Sequence, residues 1–184
     1  MRIVAGLAKG RRLASPASVT RPTSDRTREA LFNTLAATLP LEGARVLDLF
    51  AGTGAVGLEA LSRGAAEVVL VEKDRRALEV LRRNVATVAL PGAKVVGRAV
   101  GAFLAETPGE PVDLVFADPP YALDVEALDA VLVRLGTGGW LAPEAVVVVE
   151  RAARATAPDW GSSLLTPFAE RRYGDTVLWY GRPR

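Results

Sequence analysis

Cysteine, histidine and glutamine are all missing from these 184 residues, and the first two absences close off chemistry. Without cysteine there are no disulfide staples and no thiolate nucleophiles. Without cysteine and histidine together, zinc sites of the Cys/His kind and imidazole general bases go as well, and no metal is expected. Any catalysis rests on carboxylates, hydroxyls, backbone groups or a bound cofactor. Asparagine occurs twice, methionine once, and lysine three times against twenty arginines. Depletion of thermolabile side chains suits a thermophile, and GC-rich codon usage produces the same arginine bias. The start, Met1-Arg2-Ile3-Val4-Ala5-Gly6, holds no apolar h-region, and no apolar run reaches roughly 18 residues. A soluble cytoplasmic protein with no membrane partner is expected.

What is present fits one ordinary domain spanning residues 1–184, large enough to bury a core around a sheet. The formal charge of +2 hides an asymmetry. Residues 1–28 carry Arg2, Lys9, Arg11, Arg12, Arg21, Arg26 and Arg28 against Asp25 alone. The rest of the chain is net acidic. Such a local excess attracts polyanions, with an affinity that falls as salt rises, and makes Arg2, Lys9, Arg11, Arg12 and Arg21 candidate contacts to the phosphates of a polyanion. A solvated basic arm without a partner has the same composition.

Residues 1–22 read as a short basic hairpin or extended arm and residues 23–184 as the core. From Thr23 to about Leu39, Ala30, Leu31, Thr34, Leu35 and Thr38 lie near helical spacing, with Thr23 or Ser24 able to cap the helix and Pro40 to stop it. An alternation then begins. Strand Arg45 to Phe50 precedes helix Val56 to Ser62, and strand Val68 to Val71 precedes the amphipathic helix Arg75 to Val88. Further strands are expected at Lys94 to Val96, Val112 to Ala117 and Ala145 to Glu150. Short aliphatic strands separated by helices imply βαβ units, hence a doubly wound, Rossmann-like α/β sheet that is mostly parallel. Beyond Ser163, Leu164-Leu165 and Thr176 to Tyr180 bracket a polar turn and read as an antiparallel hairpin closing the sheet.

The first strand runs into Ala51-Gly52-Thr53-Gly54-Ala55-Val56-Gly57 and then a helix, so Gly52, Gly54 and Gly57 satisfy G-x-G-x-x-G in its strand-to-helix setting. That loop serves dinucleotides as well as S-adenosylmethionine. Asp48, at the end of the first strand, opposes a pyrophosphate but attracts the ammonium of a methionine moiety; a loop-bracing acid is the plainer alternative. Glu72 ends the second strand, where a carboxylate can accept hydrogen bonds from ribose hydroxyls. Asp74 beyond it is a good helix N-cap.

The strand Val112 to Ala117 delivers Asp118-Pro119-Pro120-Tyr121 at its carboxyl end, where open α/β sheets bind ligands. An exocyclic amino nitrogen is a poor nucleophile because its lone pair is delocalised into the ring, so acceptors must draw on its N–H bonds. The Asp118 side chain and a carbonyl of the rigid proline pair, that of Pro119 for choice, can each accept one, aiming the lone pair at a methyl carbon. Tyr121 can stack on the base. Taken alone, an Asp-Pro-Pro turn is also simply a stiff strand exit.

Together with Arg21-Pro22-Thr23 to Phe32-Asn33 and Leu47 to Arg63, these residues resemble the RsmD family of class I methyltransferases over nearly the whole chain. The resemblance implies a seven-stranded sheet with one antiparallel strand, and transfer of a methyl group from S-adenosylmethionine to N2 of a guanine in 16S ribosomal RNA. The partner would be that RNA within the small ribosomal subunit or a late assembly intermediate. Carried over by residue, Asp48, Gly52, Gly54 and Glu72 would bind cofactor. Asp118, Pro119, Pro120 and Tyr121 would form the amine site, and Thr23 and Arg28 would lie beside the cofactor pocket. Gly97-Arg98-Ala99-Val100 stands where such enzymes place a polar adenine contact, leaving a backbone contact there. The competing readings are an adenine-N6 methyltransferase, a dinucleotide-dependent oxidoreductase using the same glycines, and a non-catalytic RNA-binding module.

Overall fold

A computed structural model describes residues 1–15, 25–120 and 122–184. Twelve elements follow one another: α1 (Asp25–Ala36), β1 (Arg45–Leu49), α2 (Ala55–Ser62), β2 (Glu67–Glu72), α3 (Arg75–Val88), β3 (Ala93–Gly97), α4 (Val100–Phe103), β4 (Val112–Ala117), α5 (Val125–Thr137), β5 (Leu141–Ala152), β6 (Leu165–Tyr173) and β7 (Thr176–Pro183). The strands form one seven-stranded sheet in the order β3-β2-β1-β4-β5-β7-β6. All pairings are parallel up to β5, and β7 runs antiparallel to both β5 and β6. A single reversed strand results, because the hairpin inserts β7 between β5 and β6.

The period of two along each strand sorts side chains to opposite faces. Val46, Leu114, Phe116, Val146 and Val148 pack with α1, α2 and α3 residues such as Leu31, Phe32, Leu61 and Leu81. The alternate positions Leu47, Leu49, Val115, Ala117, Val147 and Val149 pack with Leu128, Leu132 and Leu135 of α5. Both faces are therefore covered, as parallel sheets require. The chain winds outward through β1, β2 and β3, then returns past β1 to β4. Strand order thus reverses between β1 and β4, which puts a ligand crevice at the carboxyl ends of those two strands.

Several boundaries differ from expectation. Helix α1 starts at Asp25 and ends at Ala36, because the Ala37 and Thr38 amides turn back three residues to Thr34 and Leu35; the expected caps Thr23 and Ser24 lie outside the described residues. Strand β5 begins at Leu141, pairing with Val112 before a register shift. Helices α4 and α5 were not among the expected elements. The signal for α5 is the i, i+3, i+4, i+7 spacing of Leu128, Val131, Leu132 and Leu135, with Asp124 capping it by accepting from the Ala127 amide at 2.7 Å. Asp74 caps α3 as expected, accepting from Ala77 at 2.9 Å.

The N-terminal segment is a hairpin, with an antiparallel bridge between Arg2 and Arg12. It is docked rather than free. The buried Glu59 carboxylate on α2 accepts from the Val4 and Ala5 amides at 2.7 and 2.9 Å, and Ser62 accepts from Ala8 at 2.9 Å. Gly6, at φ +80°, lies so close to Ser62 that a Cβ there would sit 1.7 Å from the Ser62 carbonyl oxygen. Only glycine fits that seat.

Candidate active site

Strand β1 leaves the sheet through a turn that bends sharply: Phe50, Gly52 and Gly54 have φ values of +61°, +55° and +77°. Gly57 answers a different need. A Cβ there would come within 2.7 Å of Leu70 and 2.8 Å of Val68, so its absence lets α2 lie directly on β2. Two carboxylates brace this loop. Asp48 is buried and accepts from the Gly57 amide at 2.9 Å. Glu72 accepts from Gly52 at 2.9 Å and from Lys73 and Asp74 at 2.7 and 2.8 Å. With roughly four lone-pair sites on a carboxylate, Glu72 keeps capacity for about one further donor. Asn84 of α3 ties the loop to the hairpin strand, donating to the carbonyls of Thr53 and Ala14 at 2.9 and 3.1 Å.

Beyond β4, Asp118 and the two prolines follow the Ala117–Val149 pair, which puts them beside Glu150 and Arg151 of β5. The Pro120 carbonyl is taken by the Leu123 amide at 2.9 Å. Neither the Pro119 carbonyl nor the Asp118 carboxylate accepts a hydrogen bond from the described residues. Tyr121 lies outside the described residues.

Three acids, Asp48, Asp118 and Glu150, therefore line the carboxyl edge of β1, β4 and β5. Burial pushes Asp48 up to about 7, against the opposing Gly57 hydrogen bond and with added repulsion from Glu72. Burial also raises Asp118 well above the ordinary carboxylate range, and repulsion from Glu150 and Asp48 adds to this while Arg151 opposes it. Mutually repelling buried acids invite a cation.

These groups line one cavity of about 870 Å³ that runs from Glu72 and the glycine loop to Asp118 and the proline pair. That volume lies in the upper range of small-molecule sites. It suits a nucleoside cofactor with a second ring beside it: acidic acceptors at Glu72 for a ribose, buried Asp48 for an ammonium, and open space over Gly52. Its wall also includes Arg98, Ala99 and Val100, where α4 begins. Four parts of the wall were not anticipated: Thr27 of α1, Leu123 with Ala127 and Val131 of α5, the Glu150-Arg151 end of β5, and the turn from Tyr173 to Thr176. Only α5 and the last carried a local signal, as a helical spacing and a polar hairpin turn.

Arg28, expected beside the cofactor pocket, is placed differently. It is wholly buried, its Nη2 donating to Asp25 at 2.9 Å and to the Arg2 carbonyl, with Nε 3.5 Å from Glu59. Its neighbour Thr27 reaches the cavity instead. Arg28 serves as an anchor for the hairpin, because a charge buried there needs the Glu59 and Asp25 carboxylates around it. Arg11 is likewise committed, donating to the Val88 and Thr87 carbonyls at the end of α3. Arg2, Lys9 and Arg12 are exposed on the hairpin. Arg21 and Thr23 lie outside the described residues. Among the described residues no cluster of three potential metal ligands occurs, and no helix is long and apolar enough to cross a membrane.

Comparison with known proteins agrees with this geometry. The family profile described as "Conserved hypothetical protein 95" matches residues 1–182. "Ribosomal RNA small subunit methyltransferase D" of Escherichia coli K12 is 45% identical over 151 residues, covering 82% of this chain and 74% of that protein. Among solved structures, a candidate methyltransferase of Escherichia coli, yhhF, superposes with a TM-score of 0.86 at 38% identity, covering 100% of this chain and 98% of that one. A hypothetical protein of Thermus thermophilus does so with a TM-score of 0.83 at 40% identity, covering 98% of each. The chain belongs to the RsmD family of class I, S-adenosylmethionine-dependent methyltransferases.

Proposed function

We propose that the chain methylates the exocyclic N2 amino group of a guanine in 16S ribosomal RNA, within the small subunit or a late assembly intermediate. The observation that carries an amino acceptor is the pair of acceptors at the end of β4 that no described residue engages. The Pro120 carbonyl is consumed by the turn, so the Pro119 carbonyl and the Asp118 carboxylate stand ready on the cavity. The ribosomal substrate is supported by the relatives' name, Ribosomal RNA small subunit methyltransferase D. Guanine N2 is supported by the family resemblance of the Arg-Pro-Thr segment together with Asp118-Pro119-Pro120-Tyr121.

S-adenosylmethionine supplies a methyl group on a positively charged sulfur and hence the driving force; the protein supplies geometry and charge. Asp48 would hold the methionine ammonium and Glu72 a ribose hydroxyl, with Gly52 and Gly54 letting backbone approach closely. A cation in the cavity favours the ionised forms of Asp48 and Asp118. Ionised Asp118 and the Pro119 carbonyl then each accept one N–H from the base, fixing the nitrogen lone pair in line with the methyl carbon. As the nitrogen gains its new bond, the Asp118 carboxylate takes the proton it sheds, a transfer suited to its raised proton affinity. Pro119 and Pro120 keep the acceptors from drifting, and Tyr121 would stack on the ring.

Transfer of labelled methyl to unmodified small subunits and to naked 16S RNA, followed by digestion to nucleosides, tests the reading. N2-methylguanosine is the expected product. N6-methyladenosine, or no label in either substrate, would refute it.

The exposed hairpin cations give a separate expectation. Replacing Lys9 and Arg12 by alanine should lower the slope of log affinity for RNA against log salt by roughly 0.7–0.9 for each phosphate no longer neutralised. Cofactor affinity should stay unchanged, since neither side chain lines the cavity. An unaltered salt slope in RNA-binding titrations would place the RNA elsewhere.

A further inference from the structure

Among the charged groups of the cavity that the methyl-transfer chemistry does not use, Arg151 stands nearest the proline pair in the strand register. Arg151 ends the buried stretch of β5 two residues past the Val149–Ala117 pair, so it stands on the strand next to Asp118 and Pro119. Its Nη2 donates to the Leu123 carbonyl at 3.3 Å, which holds the guanidinium against the turn after the proline pair. Its Nε and Nη1 are buried and find no hydrogen-bond partner among the described residues. A guanidinium is a permanent cation with donors only, and burying unmet donors is costly. Such an arrangement is a site awaiting an acceptor.

We infer that Arg151 is a specificity-determining residue that donates to O6 of the target guanine; this rests on the guanine-N2 reading above. Adjacent strands lie about 4.8 Å apart. The C2 and C6 substituents of a purine sit meta to one another across the ring, a separation of the same order. A guanine whose N2 is held by Asp118 and Pro119 can therefore offer O6 to the neighbouring strand, where Arg151 waits. An adenine held by its N6 offers a C–H at the corresponding meta position, C2, and leaves the guanidinium unmet. The pairing of acceptors at Asp118 with a donor at Arg151 thus complements one purine and penalises the other.

The test uses RNA carrying either guanine or 2-aminopurine, which keeps the N2 amine but lacks O6, at the mapped target nucleotide of reconstituted small subunits. Wild-type protein, Arg151→Met and Arg151→Lys are compared by kcat/KM, with cofactor affinity measured by calorimetry. Wild type should prefer guanine by about 10- to 100-fold. Arg151→Met should lose most of that preference, chiefly by falling on guanine, with cofactor affinity retained. Arg151→Lys, keeping the charge without the fork, should fall between them. Equal use of the two bases by wild type overturns the inference, and needs no variant to fold. Retention of the full preference in Arg151→Met overturns it too, as would follow if Arg151 held a phosphate or merely braced Leu123. A product other than N2-methylguanosine from wild type would instead refute the underlying reading, and the digest reports that independently.

Discussion

Alanine in place of Asp118 is expected to cut methyl transfer by at least about 10²-fold, the scale on which loss of reactant alignment is felt, while cofactor binding persists. In the proposed reaction the carboxylate accepts a hydrogen bond from the amine and then takes the departing proton. Asp118→Asn keeps an acceptor oxygen but cannot take the proton, so its activity should lie between alanine and wild type. A stability measurement separates this from damage to the fold. Burial and the nearby Glu150 and Asp48 raise the proton affinity of Asp118 in the folded protein. A carboxyl group raised on folding supports the fold only while protonated, and that support is lost as pH rises through its folded value. At neutral pH and above, removing Asp118 should leave thermal stability equal or higher. Single-turnover transfer assays, with calorimetry of the cofactor and thermal melts, check all three. Near-wild-type transfer by Asp118→Ala would remove Asp118 from the chemistry.

The second large effect is expected at Asp48, where stability and binding should move in opposite directions. Asparagine keeps the oxygen that accepts from Gly57 but carries no charge. Folding raises Asp48 from 3.8 to about 7, so ionising it costs the free protein stability that drains away from about pH 4 to 7 and stays lost above. The integrated penalty is on the order of 2–4 kcal/mol. Asp48→Asn should therefore melt at a higher temperature than wild type at pH 8, with the difference shrinking towards pH 4. Cofactor affinity should drop by about 10- to 100-fold, the worth of a charge-assisted hydrogen bond. Wild-type affinity should weaken as pH falls below about 7, because binding an ammonium then requires Asp48 to release a proton; the slope should be smaller in the variant. An Asp48→Asn protein that binds cofactor like wild type, with the same pH slope, would leave Asp48 only its role on the Gly57 amide.

Most of the framework was legible because its signals are local. A strand ending in Gly52 and Gly54, an acid closing the next strand at Glu72, the Asp74 cap and the strand that delivers Asp118 are each marked by residues within their own strand-to-helix junction. Helical and strand periods likewise place core residues without reference to distant chain. The basic hairpin was legible as a segment but not as a docked one, since its seat on Glu59 and Ser62 joins positions more than fifty residues apart. Composition made Arg11, and the family resemblance made Arg28, candidate ligand contacts. The fold spends them on Glu59, Asp25 and backbone carbonyls, because a buried guanidinium must find acceptors wherever packing supplies them.

By itself, then, the amino-acid order determined a doubly wound sheet, a glycine loop at the end of its first strand and an Asp-Pro-Pro turn at the end of its fourth. Tertiary structure alone decided which strand end and which turn complete the cavity. Glu150 and Arg151 look like the end of any buried strand until β5 pairs with β4 in one particular register. The turn from Tyr173 to Thr176 reaches the cavity only because β7 inserts next to β5. The physical reason is that cross-strand neighbours are set by register and strand order, which sum many weak packing preferences over the whole sheet and leave no mark on the few residues that line the site.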